Sequence, residues 1–412
     1  MKRVLYIVGS NLQVNNSANL SHNALIQGIL DEGYLVDVIM ADNGFLSTDS
    51  GIVLPDSIQY TVYPTTSILN TSAEVFKKRI DHSEDNNTPY NRRHSLYRLI
   101  KKGIRQITKK MYYTLKNIQD GVYVNGKTWI NNASGFKPSK EYDYIISNSS
   151  PASSHRVACN IIKHNHLVNS KWIQIWEDPW FYDLYGNRDI RVLKEERTLL
   201  KEADYIVYVS PLTLEYQKKY FPESAHKMTC VPLPCYNMED TYKHHNKCSY
   251  VLGYFGDYHN YVRNVEPLYK AASESRHSLV ICGSSNYELK SNEYVKVNER
   301  VNTNELSRIQ SSTKVLVCVC NLKGGQIPGK IYHYSGTLHP ILFILDGTEE
   351  EINKIQEYFK QYDRFYFCKN DCKSIEKMIL SIETEDKEFF PVTQFAPREV
   401  VRCIFDYAKQ KR

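Results

Sequence analysis

Short, fully apolar runs recur along this chain, each the length of a strand and most followed by a stretch with helical spacing. The first covers residues 4–8 and ends at Gly9-Ser10; a polar loop over 11–19 leads to a helix expected at about 21–32, which Gly33 ends before a second strand at 35–40. Strands apolar on both faces must be covered on both faces, so the opening reads as a βαβ unit within a parallel sheet. Further strands are expected at 59–63, 142–147, 172–176, 205–209 and 228–231. A second alternating series follows, with strands at 250–255, 278–282, 295–298 and 314–319 and helices near 265–273 and 304–311.

This pattern specifies an α/β protein with two Rossmann-like, doubly wound domains in tandem. Their expected spans are 1–240 and 241–390, with the hinge in the hydrophilic stretch 240–247, where His244 and His245 read as solvated linker residues. A last helix within 391–412 carries Val400, Val401, Ile404, Phe405 and Ala408 on one face and is expected to cross back to the first domain. The loop after the first strand lacks the three-glycine dinucleotide fingerprint, so the fold class does not imply NAD.

A chain of 412 residues, 42% hydrophobic, buries a large core. It holds no apolar run long enough to span a bilayer and no signal-peptide pattern, which points to the cytoplasm. The ten cysteines include no Cys-x-x-Cys pair, so reduced structural thiols are expected, with Cys318 and Cys320 on opposite sides of one strand. The net charge of +6 is local: residues 86–119 hold nine Lys or Arg and no acid, and the remainder balances 43 basic against 46 acidic residues. One positive patch is implied rather than a nucleic-acid-coating surface.

The stretch Gly324-Gly325-Gln326-Ile327-Pro328-Gly329-Lys330 reads as a loop feeding a helix that Gly336 closes before an apolar strand at 340–345. Glycines allow backbone to approach a ligand, Pro328 suits a first helical turn, and Lys330 adds a full charge to the N–H groups there. A phosphate seat is expected. An ordinary helix–strand connection is the bland alternative.

With Gly253-Tyr254-Phe255-Gly256, Arg263-Asn264, Ile281-Cys282-Gly283, residues 315–321 and Ile327-Pro328-Gly329-Lys330-Ile331-Tyr332-His333-Tyr334 in this order, the chain resembles the GT-B glycosyltransferases over nearly its whole length. The likeness is greatest to the retaining group that builds bacterial surface polysaccharides. The resemblance implies a nucleotide diphosphate sugar as donor substrate, lying mostly on the second domain. It also implies that Arg263 and Lys330 neutralise the diphosphate, while backbone near Pro328 and Gly329 holds it, with His333 and Tyr334 adjoining. Many relatives carry two glutamates eight positions apart here. This chain has Gly325 and His333 instead, and the imidazole can bond a ribose hydroxyl or a phosphate. No metal site and no Asp-x-Asp motif is read, since fixed cations can stabilise the leaving diphosphate.

On the acceptor side, Trp176-Glu177-Asp178-Pro179-Trp180-Phe181-Tyr182-Asp183 follows a buried strand, at the carboxyl edge where α/β sheets bind ligands. Asp178, and next to it Glu177, is expected to orient an acceptor hydroxyl or take its proton, with aromatic neighbours stacking on sugar faces. The alternative buries Trp176 and Trp180 in the core and uses the acids as helix caps. The loop 15–19 faces the same cleft by topology.

Leu96, Ile100, Ile104, Ile107, Met111, Leu115 and Ile118 form one helical stripe, flanked by Arg98, Lys101, Lys102, Arg105, Lys109 and Lys110. Such a helix suits an anionic membrane surface, giving a cytoplasmic enzyme peripheral on the inner face of the plasma membrane with a glycan or lipid-linked acceptor. Packing of the stripe on the first domain is the alternative; no nucleic-acid motif accompanies the charge. Rival functions are a GT-B nucleotide-sugar epimerase and a catalytically silent nucleotide-sugar-binding partner.

Overall fold

The computed structural model describes residues 2–44, 46–65, 121–123, 126–184, 188–239, 248–323, 325–385 and 387–410. The expected hinge and the basic helix with Arg98, Lys101, Lys102, Arg105, Lys109 and Lys110 lie outside the described residues.

The first domain runs β1 (Arg3–Val8), α1 (Ser17–Asp31), β2 (Leu35–Ala41), β3 (Gln59–Tyr63), α2 (Lys127–Ala133), β4 (Tyr144–Ser149), α3 (Ser153–His164), β5 (Lys171–Trp176), α4 (Ile190–Glu202), β6 (Tyr205–Tyr208), α5 (Pro211–Tyr220) and β7 (Met228–Cys230). Its seven strands are all parallel in the order β3-β2-β1-β4-β5-β6-β7. Successive residues alternate between two buried layers: Val4, Tyr6 and Val8 face one core, and Leu5 and Ile7 face the other, with Trp129 and Trp172. Burial on both faces is why these strands carry almost no polar residues.

The second domain runs β8 (Tyr250–Phe255), α6 (Glu266–Glu274), β9 (Leu279–Cys282), β10 (Val295–Asn298), α7 (Thr303–Ser311), β11 (Thr313–Val319), α8 (Lys330–Tyr334), β12 (Ile341–Leu345), α9 (Glu349–Lys360), β13 (Phe365–Lys369) and α10 (Cys372–Thr384). The order β10-β9-β8-β11-β12-β13, again all parallel, reverses between β8 and β11. Loops leaving the carboxyl ends of those two strands diverge and open a crevice, which is where sheets of this kind bind ligands. Cys318 and Cys320 sit in the same buried cluster, against the expectation of opposite sides. Positions i and i+2 of a strand share a face.

The last helix, α11 (Pro397–Gln410), packs on α1 of the first domain. Phe405 meets Tyr34 and Tyr144 at ring-centroid distances of 4.5 and 4.8 Å. Glu32 at the end of α1 pairs with Arg398 at 2.8 Å and Arg402 at 3.3 Å. The approach is tight because residue 28 has no side chain: a Cβ there would lie 2.2 Å from the Pro397 carbonyl oxygen. Gly28→Ala should therefore cost about 1–3 kcal/mol in urea-unfolding stability despite alanine's better helix propensity, because backbone must move to admit the methyl. A stabilised variant would contradict this packing.

Candidate functional site

A cavity of about 450 Å³ lies at the β8/β11 switch point, closed from the other side by the first domain. Six residues singled out from the sequence line it together: Arg263, Pro328, Gly329, Lys330, His333 and Tyr334. Asn15, Asn16 and Ser17 of the first domain complete the wall, so the β1–α1 loop does reach the cleft.

Lys330 occupies the first position of α8, within a turn begun by Pro328, whose carbonyl accepts from the Ile331 N–H at 3.1 Å. Its ammonium donates to the Phe255 carbonyl at 2.5 Å and stands 4.5 Å from the centre of the Tyr254 ring. Gly256 makes room for it. That residue has φ +140°, and a Cβ there would lie 2.0 Å from Nζ. Arg263, carried by the loop after β8, donates to the Asp257 carbonyl at 3.2 Å and to Asn321 at 2.8 Å, leaving Nε buried without a partner. Among the described residues neither cation forms an ion pair with a carboxylate, because Asp257 is engaged by Arg300 at 2.5 Å. Burial first and the Arg263 charge second lower the Lys330 pKa to about 7.

Two cations that form no ion pair with a carboxylate suit an anion. The helix-end contribution has a different source from the one expected. With five residues, Lys330–Tyr334, α8 is too short for a substantial dipole. The longer α1 presents its first turn at the cavity, with Asn16 as the N-cap accepting from the Asn19 N–H. Gly329 lets the two segments close, since a Cβ would lie 2.8 Å from the Ser17 hydroxyl. His333 also faces this corner. Burial lowers its pKa to about 4, against a pull from the Ser17 backbone, and its two ring nitrogens lack a well-formed hydrogen bond among the described residues. A neutral imidazole with unused polar atoms suits a hydroxyl or phosphate oxygen.

The acidic segment after β5 divides. Glu177 turns inward, with Oε1 3.7 Å from Nδ1 of buried His22, and burial raises its pKa strongly. Asp178 is exposed, and its Oδ1 accepts from Gln326 of the second domain at 2.7 Å. Trp176 is fully buried, its indole N–H donating to Gln174, and is no sugar platform; Trp180 is partly buried against the same core. Neither acid caps a helix, as α4 is capped by Asp189. The backbone N–H groups of Trp180 and Phe181 instead donate to buried Glu196 of α4, at 3.3 and 2.8 Å, which anchors the segment.

Gly325 has φ +66°, and a Cβ there would lie 2.7 Å from that of Leu212, so this backbone cannot carry a glutamate at the position without strain and collision. Arg300, Asp257, Gln326 and Asp183 escaped sequence reasoning. The only available signal was their position just after predicted strands or inside the quoted motifs. Among the described residues no group of three or more His, Cys, Asp or Glu is placed to hold a metal ion.

No protein-family model matches the chain, and no curated protein does either. Solved structures do. A glycosyltransferase from Rickettsia africae is 11% identical with a TM-score of 0.50, covering 99% of this chain and 93% of its own. Arabidopsis thaliana UGT89C1 complexed with UDP-L-rhamnose is 12% identical with a TM-score of 0.49 (99% and 94%). The UDP complex of MnaA from S. aureus is 10% identical with a TM-score of 0.46 (100% and 97%). At 11% identity the Rickettsia likeness speaks to fold alone, and together with the two parallel sheets and their helices that fold is GT-B.

The Lys330 ammonium is charged below its pKa of about 7 and neutral above it, and a bound anion raises that pKa. Pyrophosphate affinity should carry a component that is constant below pH 7 and falls above it, by at most about tenfold per pH unit for one proton. Isothermal calorimetry on wild type and Lys330→Met, differenced to remove the anion's own titration, measures it. A pH-independent difference would contradict the placement of the charge.

Proposed function

We propose that this protein is a glycosyltransferase that moves a sugar from a nucleoside diphosphate donor to a glycan or lipid-linked acceptor. The observation that carries the proposal is the pair Lys330 and Arg263, two cations without carboxylate partners among the described residues at the switch-point crevice, beside the ring of His333, whose nitrogens make no well-formed hydrogen bond there.

In this reading the diphosphate lies against Lys330, Arg263 and the Gly256 backbone, and His333 bonds a ribose hydroxyl or a phosphate oxygen. An acceptor hydroxyl approaches from the first domain and hydrogen-bonds to Asp178. Its oxygen forms the new bond to the anomeric carbon as the sugar–phosphate bond breaks. The bonding pair leaves with the diphosphate, and the hydroxyl proton passes to Asp178. Negative charge grows on the leaving oxygen during this step, so the two cations bind the transition state more tightly than the ground state. These side chains supply the neutralising charge, which favours transfer without a metal. A hexosyl donor and a role in bacterial surface-polysaccharide synthesis follow from the sequence resemblance, as does retention of configuration, which requires the acceptor oxygen to approach the anomeric carbon from the same face that the diphosphate leaves.

A thermal-shift screen against UDP, GDP, CMP and ADP, with and without chelator, tests the donor site. One nucleotide should stabilise selectively, by about 2.7 kcal/mol at a hundred times its dissociation constant, and chelator should not abolish it. Arg263→Ala and Lys330→Ala should each weaken that nucleotide by about tenfold or more. Asp178→Asn should leave nucleotide binding intact and lower transfer by about 10²–10⁴-fold. Wild-type affinity in both cation variants would remove the diphosphate site.

Membrane association rests on the sequence pattern of the basic stretch. Replacing Lys101, Lys102, Lys109 and Lys110 with Gln should release the protein from vesicles rich in phosphatidylglycerol, at about 1 kcal/mol per charge. Unchanged co-sedimentation would refute a role for these lysines.

A further inference from the structure

One side-chain amide of the second domain holds two carboxylates of the first. Gln326 Nε2 donates to Asp178 Oδ1 at 2.7 Å and to Asp183 Oδ1 at 2.8 Å, using both of its N–H groups. Gln326 is itself 8% exposed, so its amide is fixed by packing rather than free to follow its partners. Among the described residues no cation pairs with either aspartate, whereas Asp257 at the cavity has Arg300.

The charges facing Asp178 are few and of one sign. Among the described residues, Glu177 adjoins it on the same segment, Asp183 lies on the same loop, and the neutral amide of Gln326 approaches from the other domain. Behind Glu177 stands His22, kept neutral because burial lowers its pKa to about 3, so it offers no compensating charge. Two carboxylates gathered on one amide without a cation resist ionising together, and the arrangement favours a proton on one of them. Of the two, Asp178 is the more exposed.

We propose that Asp183 and Gln326 are positioning residues that act through Asp178: together they hold its carboxylate at the domain cleft and set its readiness to take the proton of an acceptor hydroxyl. This rests on the transfer reaction above, in which the hydroxyl oxygen bonds to the anomeric carbon and its proton goes to Asp178. The bonding electrons depart with the diphosphate, so no further reactant is required. In support, the Asp178 pKa is raised to about 6, first by the protein packed around its carboxyl and then by the Asp183 charge, with the Gln326 hydrogen bond opposing. Because Gln326 belongs to the other domain, the adjustment exists only while the two domains meet.

The two partners push in opposite directions, which gives the test its sign. In unliganded full-length protein labelled with 13Cγ-aspartate, and with Asp178 assigned by Asp178→Asn, its titration midpoint is read by NMR. Asp183→Asn should lower that midpoint by about half a pH unit or more, and Gln326→Leu should raise it. Asp183→Ser serves as a second removal of the charge should the asparagine variant misfold. An Asp178 midpoint unmoved by removal of the Asp183 charge, or moved upward, overturns the inference. Nucleotide thermal shifts on the same samples separate the two levels. If wild-type protein binds no nucleotide while the midpoints move as stated, the transferase reading fails and the coupling stands. If nucleotide binds but the midpoints stay fixed, the coupling alone fails.

Discussion

An apolar cluster that runs without interruption from one domain into the other fixes everything at the cleft. Val209, Leu212, Val231 and Leu233 of the first domain join Ile327, Ile331, Tyr332 and Phe395 in one buried group. The Tyr332 hydroxyl donates across it to the Val209 carbonyl at 3.2 Å, and Ser210 donates to the Gly325 carbonyl at 2.8 Å. Water is excluded from this seam, so its polar atoms must find partners inside the protein, and they do so in one register. That register places the first turn of α1 opposite Lys330 and the acidic loop after β5 opposite Gln326. On the far side of the cavity, Asp49 accepts from the N–H of Thr303 at the start of α7 at 3.0 Å, a second tie between domains.

Given that frame, the electrostatics divide by domain. The second domain brings Lys330, Arg263 and Arg300 to the cavity, and the first brings Asp178 and Asp183 beside it. Cations held in a desolvated crevice act strongly on a charged ligand because little solvent screens them, whereas Arg300 gives part of its charge to Asp257. Carboxylates without cations are the complementary case: their shared amide satisfies hydrogen bonding but not charge. The cleft is therefore polarised, positive on the donor side and proton-accepting on the other.

The parallel, doubly wound architecture was legible because strands buried on both faces write themselves as uninterrupted apolar runs. That Gly256, Arg263 and Lys330 would meet at one cavity was legible because a close backbone approach or a buried cation leaves a trace in residue type. The acceptor side was half legible: the segment at the end of β5 was found, but side-chain direction was not. Glu177 turns toward His22 and Asp178 toward Gln326, and adjacent residues after a strand take opposite directions that depend on contacts 148 positions away in the chain. The short helix ends where the sequence placed its stop, with Ser335 as C-cap and Gly336 just beyond, and residues 335–339 pack there against the segment 235–239. A Cβ at 336 would lie 2.0 Å from the Asn237 carbonyl, a contact no local pattern encodes.

The absence of a glutamate at position 325 follows from the same seam. Its left-handed backbone and contact with Leu212 let the loop close against the first domain, and any side chain there would hold the domains apart. A carboxylate carried by that loop would also move with the donor, whereas Asp178 and Asp183 belong to the opposite wall and are joined to the loop only through Gln326. The acids beside this cleft thus belong to the domain opposite the one that carries Lys330 and Arg263. It is complete only when the seam is closed, so that the group able to take a proton and the cations able to accept the leaving charge are assembled by one packing event.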